Sequence, residues 1–243
     1  LNLFLDRGRV LAQLLAPPAA AAGETTKIIV EHTNINPNKA AHIGHLRNAV
    51  LGDVLVRCLR SLGHRVEVQN YIDDTGVQVA DVVVGLLHLP ETELAACLGV
   101  EPSRRDELIE QVVARAPLAA VPEAATGDFD DLCWEIYPRV TTRYAAEPEF
   151  AAHRAAVLHA IEAGTGALAL DEALHLLRGA VVRGEAFGGR AVARLAAAVA
   201  DANVRCHLAT MTRLGVAYDL LPHESDILRL GFWDRAFALL QSA

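Results

Sequence analysis

Aromatic residues are scarce in this sequence. Six Phe, four Tyr and two Trp make up 5% of 243 residues, and there is a single Met. A core must therefore be filled by Ala, Val and Leu, a composition that favours helices. Cysteine is sparse as well. Cys58, Cys97, Cys133 and Cys206 stand far apart and never as C-x-x-C, which makes a poor disulfide framework and a poor zinc site. Cys206-His207 is an isolated pair in a helical stretch and reads as packing, because metal ligands arrive in spaced sets. No protein-bound metal is expected. No apolar run approaches the roughly 20 residues that span a bilayer. Residues 14–23, with Pro17-Pro18 and an Ala run, lack the basic start of a signal peptide and read as a linker. These absences predict a cytoplasmic protein with no membrane partner. Positive charge is the minority sign: 22 Lys and Arg face 30 Asp and Glu, for a formal net charge of −8. That argues against a small, generally basic nucleic-acid-binding module, without excluding a local basic face.

Apolar bulk is what the sequence has, at 52% hydrophobic and 21% charged residues. Such a chain is not disordered in character, and its length suits one large domain or two small ones. Residues 2–15 read as an amphipathic helix ended by the two prolines. Lys27 to Glu31 is short and β-branched, a buried strand by composition. A polar, turn-rich loop follows, from Thr33 to Lys39. Ile43, Leu46, Val50, Val54, Leu55, Cys58 and Leu62 then recur at helical spacing, and Gly63 closes that helix. Arg65 to Ile72 alternates and reads as a second strand, after which Asp73-Asp74-Thr75-Gly76 is expected to cap a helix running to Leu89. This is a β-loop-α-β-α unit, which implies parallel strands and a right-handed crossover. Helical periodicity dominates afterwards, over 91–118, 129–144, 149–162 and 190–214, with a short strand candidate at 217–221 and one or two closing helices around Gly231. The expected fold class is α/β: the first half of a doubly wound, Rossmann-like parallel sheet followed by a mainly helical block.

The chemically informative segment runs from Glu31 to Arg47, between the first strand and the first long helix, where an open α/β sheet places its ligand crevice. His42 and His45 lie three residues apart on the first helical turn, hence on one face. Free N–H groups and a partial positive charge make that helix start suited to phosphate. Two imidazole donors beside it can hold phosphoryl oxygens while negative charge shifts during displacement. Gly44 between them has no Cβ, so a flat ring can lie against the backbone, and Lys39 adds a cation upstream. The plain alternative is that both histidines cap a surface helix and Lys39 is solvated. A strand immediately before and a long helix immediately after favour the phosphate site.

His42-Ile43-Gly44-His45, preceded by Asn36-Pro37 and Lys39 and followed by Leu46 to Asp53, resembles the first signature of class I aminoacyl-tRNA synthetases. Val30-Glu31, Gly52-Asp53, Leu62-Gly63-His64, Gln69-Asn70-Tyr71-Ile72, Asp74 and Gly76 narrow the resemblance to arginyl-tRNA synthetase. Arg213 to Asp219 and Glu224-Ser225 are similar to the segment that ends that family's helical insertion. Leu1 to Asp6 resembles the end of its N-terminal tRNA-binding domain. The likeness is dense over residues 30–81. It implies four parts: 1–23, the end of an N-terminal domain and a linker; 24–90, the first half of a HIGH-type nucleotidyltransferase catalytic domain; 91–216, the helical insertion; and 217–243, a return segment toward the second half. It implies an arginine–tRNA ligase that forms arginyl-adenylate from arginine and ATP, magnesium accompanying the ATP, and transfers arginine to tRNA(Arg), arginine activation requiring the tRNA. His42, Gly44, His45 and Lys39 would bind ATP, with His42, His45 and Lys39 catalytic. Glu31 would face the guanidinium, a planar fork that a carboxylate at a strand end matches well. Asn34 and Asn36 would hold the α-amino and carboxylate ends of arginine. For Glu31 a solvated strand end, and for the two asparagines turn formation, stand as alternatives.

Two stretches depart from the commoner family text. Ala40-Ala41 stands where Pro-Leu is usual, and Asp73-Asp74-Thr75 replaces a Gly-Asp-Trp-like run. For Asp73 and Asp74 the expected role is helix capping. No segment resembles the family's lysine-rich Lys-Met-Ser-Lys-Ser loop; Met211 lies in a helical stretch. With Leu1 in place of Met, the expectation is an internal fragment inactive alone, in a monomeric parent enzyme. The alternatives are a non-catalytic truncated paralogue that binds nucleotide or a partner, and another HIGH-type nucleotidyltransferase.

Overall fold

The computed structural model describes residues 6–16, 26–117 and 128–242. Helix α1 spans Arg7–Leu15, started by Asp6, whose carboxylate accepts the backbone N–H groups of Gly8 and Arg9. The expected start at residue 2 and most of the linker lie outside the described residues. Strand β1 (Ile28–Glu31) pairs in parallel with β2 (Val66–Gln69), placing Val30 opposite Val68, and α2 (Ile43–Ser61) is the crossover between them. The parallel sheet and the mainly helical remainder agree with the expected fold class.

Burial in this sheet differs from the composition-based expectation. Val30 and Val68 pack with Val56 of α2, but Ile29 is 52% exposed. Side chains alternate along a strand, so Ile29 points to the face that α2 does not cover. The large apolar residues of α2 are likewise mostly exposed: Ile43, Val50, Val54, Leu55 and Cys58, with the C-cap Leu62, face away from the described residues, while Ala49, Gly52 and Val56 form the buried row. Spacing shows that a helix has an apolar stripe; it does not show which of two apolar stripes has a partner.

Helix α3 (Val77–His88) runs through the middle of the helical block, with every residue from Val79 to Leu87 buried. Around it lie α4 (Glu91–Leu98), α5 (Arg105–Arg115), α6 (Asp128–Ala146), a 3-10 turn (Pro148–Phe150), α7 (Ala151–Ala163), α8 (Leu170–Arg183) and α9 (Gly189–Arg213). Their shared core includes Leu86, Leu89, Leu94, Leu108, Phe129, Ile136, Leu177 and Leu195. A close approach is built in at Gly85, where a Cβ would lie 2.3 Å from Ile136 Cγ2. Asp81 is buried in α3 and is satisfied by Arg154 at 2.8 and 3.0 Å and by the Tyr144 hydroxyl at 2.8 Å.

Several elements differ from the sequence reading. The single helix expected over 91–118 is two, because Gly99 adopts a left-handed conformation (φ 66°) and Pro102 follows before the next helix begins. Residue 118 falls outside the described residues. Helix α8 is not among the expected helices, although its Leu and Val residues recur at helical spacing and Gly184 ends it with φ 64°. The candidate strand at 217–221 makes one isolated parallel bridge, Leu220 with Gln69, and a second, His223 with Ile72, follows just beyond it. The chain then forms α10 (Glu224–Arg229) and α11 (Phe232–Ser242).

Asp73 and Asp74 are not caps of α3; its N-cap is Gly76, which has no side chain to offer. Asp74 instead accepts from Ser225 N at 2.9 Å, Ser225 Oγ at 2.6 Å and His223 Nδ1 at 3.2 Å. Burial, with Glu224 as a hydrogen-bond partner and neighbouring charge, raises the Asp73 carboxyl to about 6. The two aspartates thus tie the end of the sheet to the segment beginning α10. That segment is some 150 residues away in sequence, so local spacing carries no trace of it.

Candidate active site

The loop leaving β1 holds an unusual shape. Thr33 and Asn34 both have positive φ, 78° and 46°, a region that asparagine tolerates and a β-branched threonine resists. Hydrogen bonds hold them there. Thr33 Oγ1 lies 2.7 Å from the Tyr218 hydroxyl and 2.9 Å from His32 Nδ1. Asn34 N–H donates to Asn70 Oδ1 at 2.9 Å, and Asn34 Oδ1 accepts from Tyr71 N at 3.3 Å. Buried His32, held below its ordinary pKa mainly by desolvation, packs against Gly52, where a Cβ would sit 2.2 Å from the ring.

Glu31 Oε1 accepts the Asn34 side-chain amide at 2.8 Å, so these two predicted residues meet at the strand end. Both functional groups of Asn34 are therefore engaged within the fold. Asn36 is half-buried, and its side chain makes no hydrogen bond among the described residues.

A second group forms where the loop enters α2. His42 is the N-cap, and its ring stacks on His45 with centroids 3.8 Å apart. Gly44 N–H donates to His42 Nδ1 at 3.1 Å, and His42 N–H donates to His45 Nδ1 at 3.3 Å. A ring nitrogen that accepts carries no proton, so both neutral rings bear theirs on Nε2. Burial pushes the His45 pKa down to about 4, and positive charge on His42 when it is protonated, and on Lys39, adds to this. His45 is therefore a neutral Nε2–H donor at neutral pH, beside the partial positive charge of a helix start. The expected partner for the backbone at Gly44 was a flat ring; the ring present is that of His42, 2.9 Å from where a Cβ would be. Capping and donation thus coexist in one constellation.

The helical block supplies what the loop cannot. Ala40 N–H donates to the Asp130 carbonyl at 3.0 Å. His207 Nε2 donates to the Lys39 carbonyl at 2.8 Å, and burial pushes the His207 pKa down to about 4. The Lys39 ammonium lies over Trp134 and Tyr137, and the Trp134 ring meets His42 edge-on. Sequence reading placed Lys39, His42 and His45 together but missed Trp134, Tyr137 and this role of His207. The legible signal was two scarce aromatics three residues apart on one helix. A cleft of about 630 Å³, lined by Asp74, Arg194, Asp201, His223 and Arg229 among others, contains none of the candidate residues. Among the described residues, no group of three or more His, Cys, Asp or Glu is arranged to hold a metal, and no helix is long and apolar enough to cross a membrane.

Residues 10–97, which contain the whole loop, match the family described as tRNA synthetases class I (R), catalytic domain. The arginine–tRNA ligase of Thermococcus kodakarensis is 32% identical over 250 residues, covering 99% of this chain and 32% of that protein. The one from Deinococcus radiodurans is 31% identical over 243 residues, covering 100% of this chain and 30% of that protein. In solved structures, Thermus thermophilus arginyl-tRNA synthetase aligns with TM-score 0.51 at 29% identity, over 97% of this chain and 30% of that one. The chain belongs to the arginyl-tRNA synthetase family. It spans about a third of the length of the curated relatives it matches. The likeness to these synthetases runs through the helical block as well as the loop, since the T. kodakarensis and D. radiodurans matches cover nearly the whole chain.

Proposed function

We propose that these residues form the ATP- and arginine-handling part of an arginine–tRNA ligase. In this reading the arginine carboxylate attacks the α-phosphorus of ATP and pyrophosphate leaves, giving arginyl-adenylate. A ribose hydroxyl at the tRNA(Arg) end then attacks the activated carbonyl and AMP leaves. His42 and His45 donate Nε2–H groups to phosphate oxygens as negative charge shifts between them, acting with the helix start. Lys39 neutralises phosphate charge. Glu31, already oriented by the Asn34 amide, receives the guanidinium, and Asn34 and Asn36 hold the backbone end of arginine. Asn34 would do so by sharing or exchanging its present partners. Magnesium enters as the counter-ion of ATP. The reading includes the four-part division at residues 23, 90 and 216, a cytoplasmic location and a monomer.

The observation that carries it is the pair of stacked histidines with both Nδ1 atoms occupied by helix-capping N–H groups, which leaves both Nε2–H donors for a ligand. The test is ATP–pyrophosphate exchange across a panel of amino acids, in the presence of tRNA, by the full-length protein carrying these residues. Exchange should depend on arginine, and His45→Ala should lower it by about 10²-fold. Exchange without arginine dependence, or near-normal exchange by His45→Ala, overturns the reading.

A further inference from the structure

Lysine occurs only twice in this sequence, at Lys27 and Lys39, among 22 basic residues. Lys27 is paired with Glu67 at 2.9 Å. Lys39 has no carboxylate within ion-pair distance among the described residues. Its ammonium lies 5.7 Å from the centroid of Trp134 and 5.1 Å from that of Tyr137, both within the roughly 6 Å over which a ring face attracts a cation. The two rings are three residues apart on α6 and so share a face. Helix α6 also holds the backbone beside Lys39 through the Asp130 carbonyl, and His207 of α9 holds the Lys39 carbonyl itself.

We propose that Trp134 and Tyr137 are positioning residues for Lys39, an aromatic cradle that holds its ammonium beside the start of α2 for an incoming phosphate. The proposal rests on the assignment of Lys39 to ATP given above. A carboxylate would also hold an ammonium, but it would cancel the charge the phosphates need. A ring face holds the cation through its quadrupole and leaves the full charge. It also removes rotamer freedom from the lysine stem before the ligand arrives, so less is lost on binding. Trp134 is 40% exposed, so its replacement by an aliphatic residue is compatible with folding.

The test compares KM for ATP in tRNA-supported exchange by the full-length protein. Trp134→Leu and Tyr137→Leu should each raise KM for ATP about 2- to 5-fold, leave KM for arginine unchanged, and be rescued by Trp134→Phe and Tyr137→Phe. In a Lys39→Met background the leucine variants should add nothing. No change in the leucine variants, or an equal change in the Lys39→Met background, overturns the cradle. If Lys39→Met itself leaves KM for ATP unaltered, the assignment of Lys39 to ATP fails instead. The cradle is then decided by NMR of ε-13C-labelled lysine, with Lys39→Arg identifying the resonance. Ring currents should move the Lys39 ε-protons upfield in the wild type and not in the Trp134→Leu/Tyr137→Leu double variant; ordinary positions in the wild type, or positions unchanged in the double variant, refute the cradle.

Discussion

Gly52→Ala tests whether the loop that carries the candidate site is braced by the close approach of α2. On helix propensity alone the change should stabilise by about 1 kcal/mol, because Gly52 sits inside a long helix. The structure predicts the opposite sign. An added Cβ would lie 2.2 Å from His32 Cγ, 2.4 Å from its Cβ and 2.6 Å from its Cδ2. These are near-backbone atoms of a buried residue, not the free end of a flexible chain. Relief requires shifting either the helix or the strand end, at an overpacking cost of roughly 1–3 kcal/mol. Moving His32 also stretches the chain from its ring through Thr33 to Tyr218, worth about another 1 kcal/mol per weakened bond. The net expectation is destabilisation by about 1–3 kcal/mol, or a fall of roughly 2–10 °C in Tm for a protein of this size. Gly179→Ala is the matched control. It too lies inside a helix, α8, but its Cβ meets only the guanidinium end of Arg183 at 2.8 Å. That end can swing away, so this variant should gain about 0.5–1 kcal/mol. Thermal melts of both variants followed by circular dichroism decide the matter. A Gly52→Ala variant as stable as Gly179→Ala would refute the argued contact with His32.

Acidification should destabilise the protein through histidines whose partial or full burial disfavours the charged ring. His45, His88 and His207 are each pushed down to about 4, chiefly by burial. An unfolded histidine titrates near 6.5, so the unfolded chain gains protons first, and stability present above that pH is lost as pH falls toward 4. His207, the most deeply buried, accounts for on the order of 3 kcal/mol of this at full effect. Asp73, raised to about 6, works in the opposite sense: its contribution is present at low pH and lost as pH rises through 6. Tm measured from pH 4 to 8 should rise with pH, more shallowly in His207→Gln, and an unchanged slope in that variant would count against the burial argument. Asp81→Ala should cost about 2–4 kcal/mol in urea melts, because it strands Arg154 and the Tyr144 hydroxyl; the range allows for the partial exposure of Arg154. A loss below about 1 kcal/mol would show that solvent replaces the carboxylate. His207→Ala should raise KM for ATP with little change in KM for arginine, because it frees the Lys39 carbonyl, and His207→Gln, which retains a donor, should restore it. Equal effects of both variants would mean that the hydrogen bond is unimportant.

Local order was readable where the physics is local. Gly63, with φ 87°, ends α2 as its lack of a Cβ foretold. The alternation around Val66 to Gln69 gave a strand, and a helical crossover made it parallel to the first. His42 and His45 fell on one helical turn because 3.6 residues make a turn, and the structure stacks them. Glu31 and Asn34 were close by sequence and are in contact.

The rest required contacts between distant segments, for which spacing has no term. The role of Asp73 and Asp74 changed because residues 223–225 lie against them, and Gly76 took the cap instead. The face of α2 that is buried was settled by Ile35, Met211 and Val216 against Ala49, His32 against Gly52, and Val30 and Val68 against Val56, which select this small row over the larger apolar residues beside it. Lys39 could be placed near phosphate from the sequence, but its aromatic cradle and the His207 hydrogen bond come from helices about 95 and 168 residues further on. By itself, then, the sequence determined the two strands, the helical crossover with its parallel pairing and the residue types at the helix start, since backbone geometry dictates them over a few residues. The tertiary structure decided which faces are covered, which carboxylates are caps and what holds the lysine, since these depend on partners that only the folded chain brings together.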